Sequence, residues 1–385
     1  KQKTAYEIGV RLVGSEMCIR DRIRPAPASA RAVRTRAPTA GSSEGTKTTM
    51  TTSSLMPTIL PTTMPTHIEA MMVGMDLREL DGDHGDASGR LSVPAVLALE
   101  RVAERSQPPY LTVFSGPVTR NTGSRVFGGQ VLGQVVAAAA RTLPPGYPVH
   151  HASGQFVRPA DGTAPLRFHV KHERDGRVFA LRTVEAIQHD RLVFTGLVSG
   201  HVPGRGVEHQ IPRLVGPGPE DSPGGDAWYA DWPTYVRYLR KLEDELGVEL
   251  RFPTAPVHVA ALRGEATQPQ QSVWVRCRDA LADLPEGSAD HVAHAAALAY
   301  LSDLLLLGAA LGPHRRTMFD QDVQVATINH AIWLHAPTAR ADEWLRVEQW
   351  APWSGNGMAM CRSELFALDG RLIASVSQES LIWIV

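Results

Sequence analysis

The same order of predicted secondary structure occurs twice along this chain, and that repetition constrains the fold more than any single motif. Each time a strand precedes a long buried helix, and several antiparallel strands follow it. The helices are the small, apolar run Val131–Ala140 and the run HAAALAYLSDLLLLGAAL, which contains Asp303. Sequence identity between the halves is slight, so the order of elements is the better sign of an internal duplication.

The strands that follow each helix also correspond in their details. The FVRP segment at Phe156–Pro159 matches LHAP at Leu334–Pro337, and RVFALRTVEAIQHDRLVFTGLV matches MAMCRSELFALDGRLIASVSQE. The repeat predicts an α+β fold in which each half is an antiparallel sheet wrapped around its long helix. Two such sheets can join edge to edge, which removes exposed strand edges.

Changes in composition divide the chain into four segments. Residues 1–90 form a low-complexity tail rich in Ala, Thr, Pro, Ser and Arg, which we predict to be disordered, with a transit peptide as the alternative. Its opening resembles translated sequencing-adapter sequence more than protein. We expect an N-terminal domain at 91–202 that begins with a helix at Leu91–Ser106. A Gly/Pro-rich linker with short helices follows at 203–251, and a C-terminal domain at 252–385.

Charge and cysteine usage argue against several classes of protein. The formal net charge is −1, so no overall field favours nucleic acid or anionic membranes. No apolar run reaches the roughly 18 residues of a membrane span. Cys18, Cys277 and Cys361 form no CxxC pair, which fits a reducing cytoplasm. His291 and His294 share a helix face, but no motif supplies a third ligand, so we expect neither a metal nor another cofactor.

Asp303 is an acid in an apolar stretch, where an ionised carboxylate is costly without compensating partners. It could cap a following helix, pair with an arginine in a structural role, or be a reactive group. Two further polar residues lie in apolar strands, Thr327 in VATINHAIW and Gln378 in ASVSQESLIW. Each of these two is unremarkable alone, and residue patterns leave the three alternatives for Asp303 open.

From Leu91 to Val385 the chain resembles the acyl-CoA thioesterase II family, the double hot-dog thioesterases. The similarity is carried, in the family's order and spacing, by RVFGGQVLGQ, FVRP, RDGRVFALRTVEAIQ, QSVWVRC, LAYLSD, QVATINHAIWLH and DGRLIASVSQES. The resemblance implies two antiparallel sheets, each wrapped around a long central helix and fused in one chain. It also implies an active site formed by Asp303, Thr327 and Gln378.

The implied chemistry needs no covalent enzyme intermediate. Ionised Asp303 would take a proton from water as a general base, and Thr327 and Gln378 would hold that water. Backbone N–H groups at Gly129 and Gln130 are candidates to bind the substrate oxyanion, while we expect Gly128 to serve helix packing.

Further residues carry weaker expectations. Arg158 could face the phosphates of coenzyme A, and His150 and His151 are expected at the surface or in structural roles. An acyl tunnel could be walled by apolar side chains of the two helices, namely Val131, Leu132, Val135 and Leu304–Leu307. The family's strand motif often has Asp where this chain has Asn329, a departure expected to affect rate and pH behaviour by removing a charge near Thr327.

The sequence therefore predicts a cytoplasmic, homo-oligomeric acyl-CoA thioesterase that releases a free fatty acid and coenzyme A. One alternative is a hot-dog 2-enoyl-CoA hydratase, which would need a histidine beside the aspartate, and the sequence suggests none next to Asp303. A non-catalytic acyl-CoA-binding module is the other alternative.

Removal of residues 1–75 should leave folding and activity nearly unchanged, because the tail is predicted to bury little apolar surface. Soluble yield and hydrolysis rate of the truncated and full-length chains provide the comparison. Loss of soluble protein on truncation would show that the tail is structural.

Overall fold

The computed structural model describes residues 92–103, 108–119, 125–213, 215–281 and 290–385, apart from the side chains of residues 290 and 291. The predicted tail at 1–90 lies outside these residues. Within them, none of the helices is long and apolar enough to cross a membrane.

Strands are the larger part of the described secondary structure. The first half contains β1 Glu100–Val102, β2 Leu111–Gly116, β3 Val149–Phe156, β4 Leu166–Asp175, β5 Phe179–Gln188 and β6 Arg191–His201. The second half contains β7 Val248–Arg251, β8 Gln270–Cys277, β9 Val323–Leu334, β10 Leu345–Gly355, β11 Met358–Ala367 and β12 Leu372–Ile384.

The described ranges also contain seven α-helices. They are α1 Val93–Leu97, α2 Gly128–Ala140, α3 Gly225–Trp228, α4 Pro233–Leu246, α5 Val257–Leu262, α6 Asp290–Leu301 and α7 Gly308–Leu311, and a 3-10 turn follows at Gly312–His314. The predicted linker thus contains α3 and α4, and its last residues form β7. The domain boundaries stay a prediction.

All twelve strands belong to one antiparallel sheet whose order repeats. The order is β1-β2-β4-β5-β6-β3-β9-β12-β11-β10-β8-β7. Each half contributes six strands. From the outer edge of the sheet to its centre, both halves place their own strands in the order first, second, fourth, fifth, sixth, third. The halves meet where β3 pairs with β9, for example at Ala152 opposite Ile332. The repeated order of elements and the edge-to-edge junction are those predicted from the sequence.

The predicted helix at Leu91–Ser106 is wrong in its second part. Helix α1 ends at Leu97 because Ala98 adopts an extended conformation. The next strand, β1, then pairs with β2, with Glu100 opposite Ser115. The predicted cap is correct, since Ser92 Oγ accepts a hydrogen bond from Ala95 N at 3.3 Å. Loose spacing of the apolar residues was the sequence signal that the helix does not continue.

The two long helices, α2 and α6, pack directly against each other at small residues. Every residue of α2 after Gly128 is buried. A Cβ on Gly133 would lie 2.9 Å from the Ala296 carbonyl oxygen, so glycine is what permits this approach. The Phe127 and Tyr300 rings make an edge contact at 5.3 Å beside the start of α2. The packing brings the beginning of α2 next to the end of α6, two residues before Asp303.

Gly133→Ala should lower the free energy of unfolding by about 1–3 kcal/mol, because the added methyl has no space between α2 and α6. Gly204→Ala is the matched control, since a Cβ there meets no atom within 4 Å. Urea denaturation of both variants provides the measurement. Equal stability of the two would contradict close packing at Gly133.

Candidate active site

Asp303 lies in a turn directly after α6, and its side chain is 9% exposed. Leu305 in this turn has a left-handed backbone conformation, with φ of 59°, which is uncommon for a bulky residue. Gln349 Nε2 donates to Leu304 O at 2.7 Å, and Gln271 Nε2 donates to Leu305 O at 2.6 Å. These two amides hold the turn that presents Asp303.

Neither structural alternative for Asp303 fits its position. Helix α7 begins at Gly308, and its N-cap residue, Leu307, makes no side-chain capping bond. Asp303 therefore does not cap that helix. In the part of the chain that the structure describes, the basic side chain within 4 Å of the carboxylate is His330, with Nδ1 3.8 Å from Oδ1, and no arginine pairs with it.

The Asp303 carboxylate accepts hydrogen bonds from Gly129 N–H and from the Thr327 hydroxyl. Burial raises the pKa of Asp303 to about 7, and these two bonds to the charged form oppose that rise. A Cβ on Gly128 would stand 2.6 Å from Oδ2, so only glycine fits there. The site thus holds a desolvated carboxyl group that changes charge near neutral pH.

A bulge in β9 brings Thr327 and His330 to the same face of the sheet. Asn329 is opposite Glu379 and Thr327 is opposite Ser380, which leaves Ile328 as an extra residue. Without the bulge, residues three apart would point to opposite faces. Both side chains therefore face Asp303 and Gln378.

The three predicted catalytic residues come together in a hydrogen-bonded cluster. Gln378 is 1% exposed, and its Nε2 donates to Thr327 Oγ1 at 3.2 Å and to Ser380 Oγ at 3.1 Å. Its Oε1 lies 2.7 Å from His330 Nδ1. Thr327 in turn bonds Asp303. The cluster can accept a proton at its acidic end and hold a small polar molecule beside Thr327.

A cleft of about 180 Å³ opens onto this cluster between the two halves. Thr327 and Gly128 are part of its wall, and Val131, Phe156 and Val193 contribute apolar surface. Arg125 and Arg158 also line the cleft. The cleft therefore combines an apolar wall and two cationic groups with Thr327 and Gly128, the two lining residues that lie against the Asp303 carboxylate.

Gly129 and Gln130 are placed differently from expectation. The Gly129 N–H already bonds Asp303, and a Cβ on Gly129 would lie 2.3 Å from Tyr300 O. Gln130 N–H donates to Phe127 O at 3.0 Å, and its side chain bonds Thr119 and the Pro117 carbonyl. Gly128, which we assigned to packing, also lies against the carboxylate.

The expectation that no histidine stands next to Asp303 is wrong, because His330 does. Alternation along β9 could have indicated a buried His330, since Ile332 and Leu334 are buried on the same face. The bulge that aligns His330 with Thr327 has no readable signal in the sequence. His330 is 1% exposed and both ring nitrogens have partners, Ser302 Oγ at 2.8 Å and Gln378 Oε1.

Asn329 does not act at the site as expected. Its side chain donates to Glu379 Oε2 at 2.8 Å, on the face of the sheet opposite His330. The replacement of Asp by Asn there removes no charge from the face of the sheet that carries the cluster.

The remaining candidates have mixed outcomes. His150 bonds Ser199 at 2.9 Å and does not line the cleft. Of the predicted tunnel residues, Val131 borders the cleft and Leu305 borders a separate cavity of about 20 Å³, while Leu132 and Val135 are core residues.

The His291 side chain lies outside the described residues. Among those described, no cluster of three His, Cys, Asp or Glu side chains could hold a metal.

Only one half of the repeat carries the polar cluster. The β9 bulge has a counterpart in β3, where the register shifts between Val149 and His151. Matching the two registers puts Val149, Ala152 and Val198 at the positions of Thr327, His330 and Gln378. All three are buried and apolar. The equivalent place in the first half is therefore core.

Two family profiles and several curated relatives that match this chain are described as acyl-CoA thioesterases. The sequence profile of the acyl-CoA thioesterase N-terminal domain matches residues 117–201, and that of the C-terminal domain matches 217–382. Acyl-coenzyme A thioesterase 8 of Mus musculus is 31% identical over 317 residues, covering 78% of this chain and 93% of its own.

Solved structures agree with these matches. The acyl-CoA thioesterase II TesB2 from Mycobacterium marinum is 34% identical, with a TM-score of 0.58 over 76% of this chain and 99% of its own. A hot-dog protein of unknown function from Alicyclobacillus acidocaldarius is 18% identical, with a TM-score of 0.58 over 76% and 98%. The second likeness supports the fold alone, an α+β hot-dog architecture.

Asp303→Asn should raise stability at pH 8. Asp303 keeps its proton in the folded chain up to about pH 7, whereas an ordinary aspartate has a pKa of 3.8. Ionisation of Asp303 therefore costs stability as the pH rises between these two values. Each pKa unit is worth about 1.4 kcal/mol, so the gain should reach a few kcal/mol at pH 8.

Urea denaturation at pH 5 and pH 8 measures this gain, which should be smaller at pH 5. Asp369→Asn is the matched control, because hydrogen bonds from Arg371 lower the pKa of Asp369, so Asp369 is ionised at both pH values and its replacement should have the same effect at pH 5 and pH 8. A gain from Asp303→Asn that is independent of pH would contradict a buried ionising carboxyl.

Proposed function

The chain belongs to the acyl-CoA thioesterase II family, and we propose that it hydrolyses acyl-CoA to a free fatty acid and coenzyme A with Asp303 as general base. The observation that carries this assignment is the buried Asp303 carboxyl, with its pKa raised to about 7 by burial and hydrogen-bonded to Thr327 at the cleft. A base with a pKa near the working pH is well matched to proton transfer.

The reaction needs one water and no enzyme-bound intermediate. Ionised Asp303 takes a proton from the water as its oxygen attacks the thioester carbonyl carbon. The carbon–sulfur bond then breaks, the acyl group leaves as a fatty acid, and the Asp303 proton passes to the coenzyme A sulfur. Asp303 returns to its ionised form, so protons and bonds balance.

Thr327 and Gln378 contribute positioning in this proposal. Water placed against the Thr327 hydroxyl would lie within reach of Asp303, since these two side chains are hydrogen-bonded. Gln378 acts on the water through Thr327, because both of its amide hydrogens already have the Thr327 and Ser380 hydroxyls as acceptors. The direct bond from Gln378 to water that the sequence suggested would require Gln378 to release Thr327 or Ser380.

Substrate binding is assigned to the cleft. Arg125 and Arg158 supply positive charge for the phosphates of coenzyme A, and Val131 and Phe156 supply apolar surface for the acyl group. The start of α2 at Gly128 lies at the same wall, where the positive end of a helix favours the developing oxyanion. A role for Gly129 N–H there would require it to leave Asp303.

The duplicated strand order supports a double hot-dog arrangement, one hot-dog domain in each half. Homo-oligomerisation and a cytoplasmic location remain predictions.

The hydratase alternative is disfavoured by the state of His330. A hydratase dyad needs a histidine that reaches the substrate, and His330 is buried with both nitrogens occupied by Ser302 and Gln378. The binding-module alternative is disfavoured by the polar cluster itself, since a buried carboxyl near its titration point is costly in a site that only binds.

Asp303→Asn should lower kcat for acyl-CoA hydrolysis by about 100-fold or more, because it removes the general base. Thr327→Val should lower kcat with the Asp303 base still present. Release of the coenzyme A thiol across a chain-length series gives the rates, and Asp369→Asn should match the wild type.

Full hydrolysis by Asp303→Asn, or acyl-CoA binding without turnover by the wild type, would reject the proposal. Hydration of crotonyl-CoA would favour the hydratase.

A further inference from the structure

His330 is a buried histidine that the proposed hydrolysis does not use directly. Its ring is 1% exposed, it does not line the cleft, and its two nitrogens contact Ser302 and Gln378. It lies 3.8 Å from Asp303 Oδ1, which is longer than a hydrogen bond. Any effect on chemistry must therefore pass through a neighbour.

The carboxylate sets the direction of the hydrogen-bond chain that includes His330. Ionised Asp303 can only accept, so the Thr327 hydroxyl donates to it. Thr327 Oγ1 then accepts from Gln378 Nε2, and the amide oxygen of Gln378 must face His330. An amide oxygen only accepts, so the hydrogen of the neutral imidazole is on Nδ1.

The far end of the chain closes beside Asp303. With its hydrogen on Nδ1, His330 accepts at Nε2 from the Ser302 hydroxyl, 2.8 Å away, and that hydroxyl then no longer donates to Ala299 O, which is also 2.8 Å away. Ser302 precedes Asp303 in sequence, so the chain of hydrogen bonds begins and ends at adjacent residues. Four hydrogen bonds pointing one way polarise each other in a site with little water.

We infer that His330 is a positioning residue for the proposed hydrolysis: its Nδ1–H holds the amide of Gln378 so that Thr327 is free to donate to Asp303. This inference rests on the proposed function, with Thr327 and Asp303 as the groups next to the attacking water. Without the Nδ1–H donor, the buried Gln378 oxygen has no partner, and the amide turns to find one.

The opposite orientation of the chain is also chemically possible. If the Gln378 amide were turned by 180°, its oxygen would accept from Thr327 and Ser380, and its nitrogen would donate to His330 Nδ1. His330 would then carry its hydrogen on Nε2 and donate to Ser302, whose hydroxyl has Ala299 O 2.8 Å away as an acceptor. Thr327 would no longer donate to Asp303. The two orientations differ in the His330 tautomer, which can be measured.

Nitrogen and carbon NMR of histidine-labelled wild type at pH 8, with His330 assigned from the spectrum of His330→Asn, should show the Nδ1–H tautomer. An Nε2–H tautomer would overturn the inference. This measurement needs no enzyme activity, so it tests the arrangement even if His330→Leu fails to fold. It also tests the arrangement if the wild type releases no coenzyme A from acyl-CoA, a result that would reject only the proposed function.

Kinetics of two variants test the consequence. His330→Leu removes the donor and should lower kcat about tenfold, the equivalent of one hydrogen bond, with KM unchanged because His330 does not line the cleft. His330→Asn, whose amide nitrogen can take the place of Nδ1, should keep kcat within about threefold of wild type. Equal losses for both variants would contradict positioning through the donor.

A double-variant cycle separates positioning from general structural damage. If His330 acts through Thr327, then His330→Leu added to Thr327→Val should lower kcat by less than about twofold beyond Thr327→Val alone. Losses that multiply would show that His330 acts independently of Thr327 and would reject the inference.

Discussion

The contact between helices α2 and α6 is the interaction on which the rest of the structure depends. Gly129 and Gly133 let α2 approach the backbone of α6, where a side chain would meet the Tyr300 and Ala296 carbonyl oxygens. This contact belongs to neither half alone. It sets the start of α2 beside the turn after α6, and so it brings Gly128 and Gly129 to Asp303.

A carboxyl group held in that place is under opposing influences. Burial raises its pKa, while hydrogen bonds from Gly129 and Thr327 favour the charged form. The balance leaves a group that exchanges a proton near neutral pH, at a cost in stability. Hydrogen bonds from Gln349 and Gln271 to Leu304 O and Leu305 O hold the turn that keeps the carboxyl in place, although Leu305 has a left-handed backbone there.

The duplication shows how one architecture serves two purposes. Both halves contain the same strand order and the same bulge at the strand that joins them. In the second half that bulge presents Thr327 and His330, and in the first half it presents Val149 and Ala152. The polar cluster and the apolar core thus occupy equivalent places, and the side chains alone decide which is which.

The sequence by itself determined the repeated order of elements, the two buried helices and the candidate set of Asp303, Thr327 and Gln378, because period, apolar composition and family motifs are local features of the chain. Tertiary structure decided that both Gly128 and Gly129 lie against the carboxylate, that the Gln130 side chain bonds Thr119 and Pro117 instead, and that Asn329 points to the other face. It also brought His330 and Ser302 into the cluster. The physical reason is that helix contacts and a one-residue bulge depend on pairing between distant segments, and a shift of one residue in a strand exchanges its two faces.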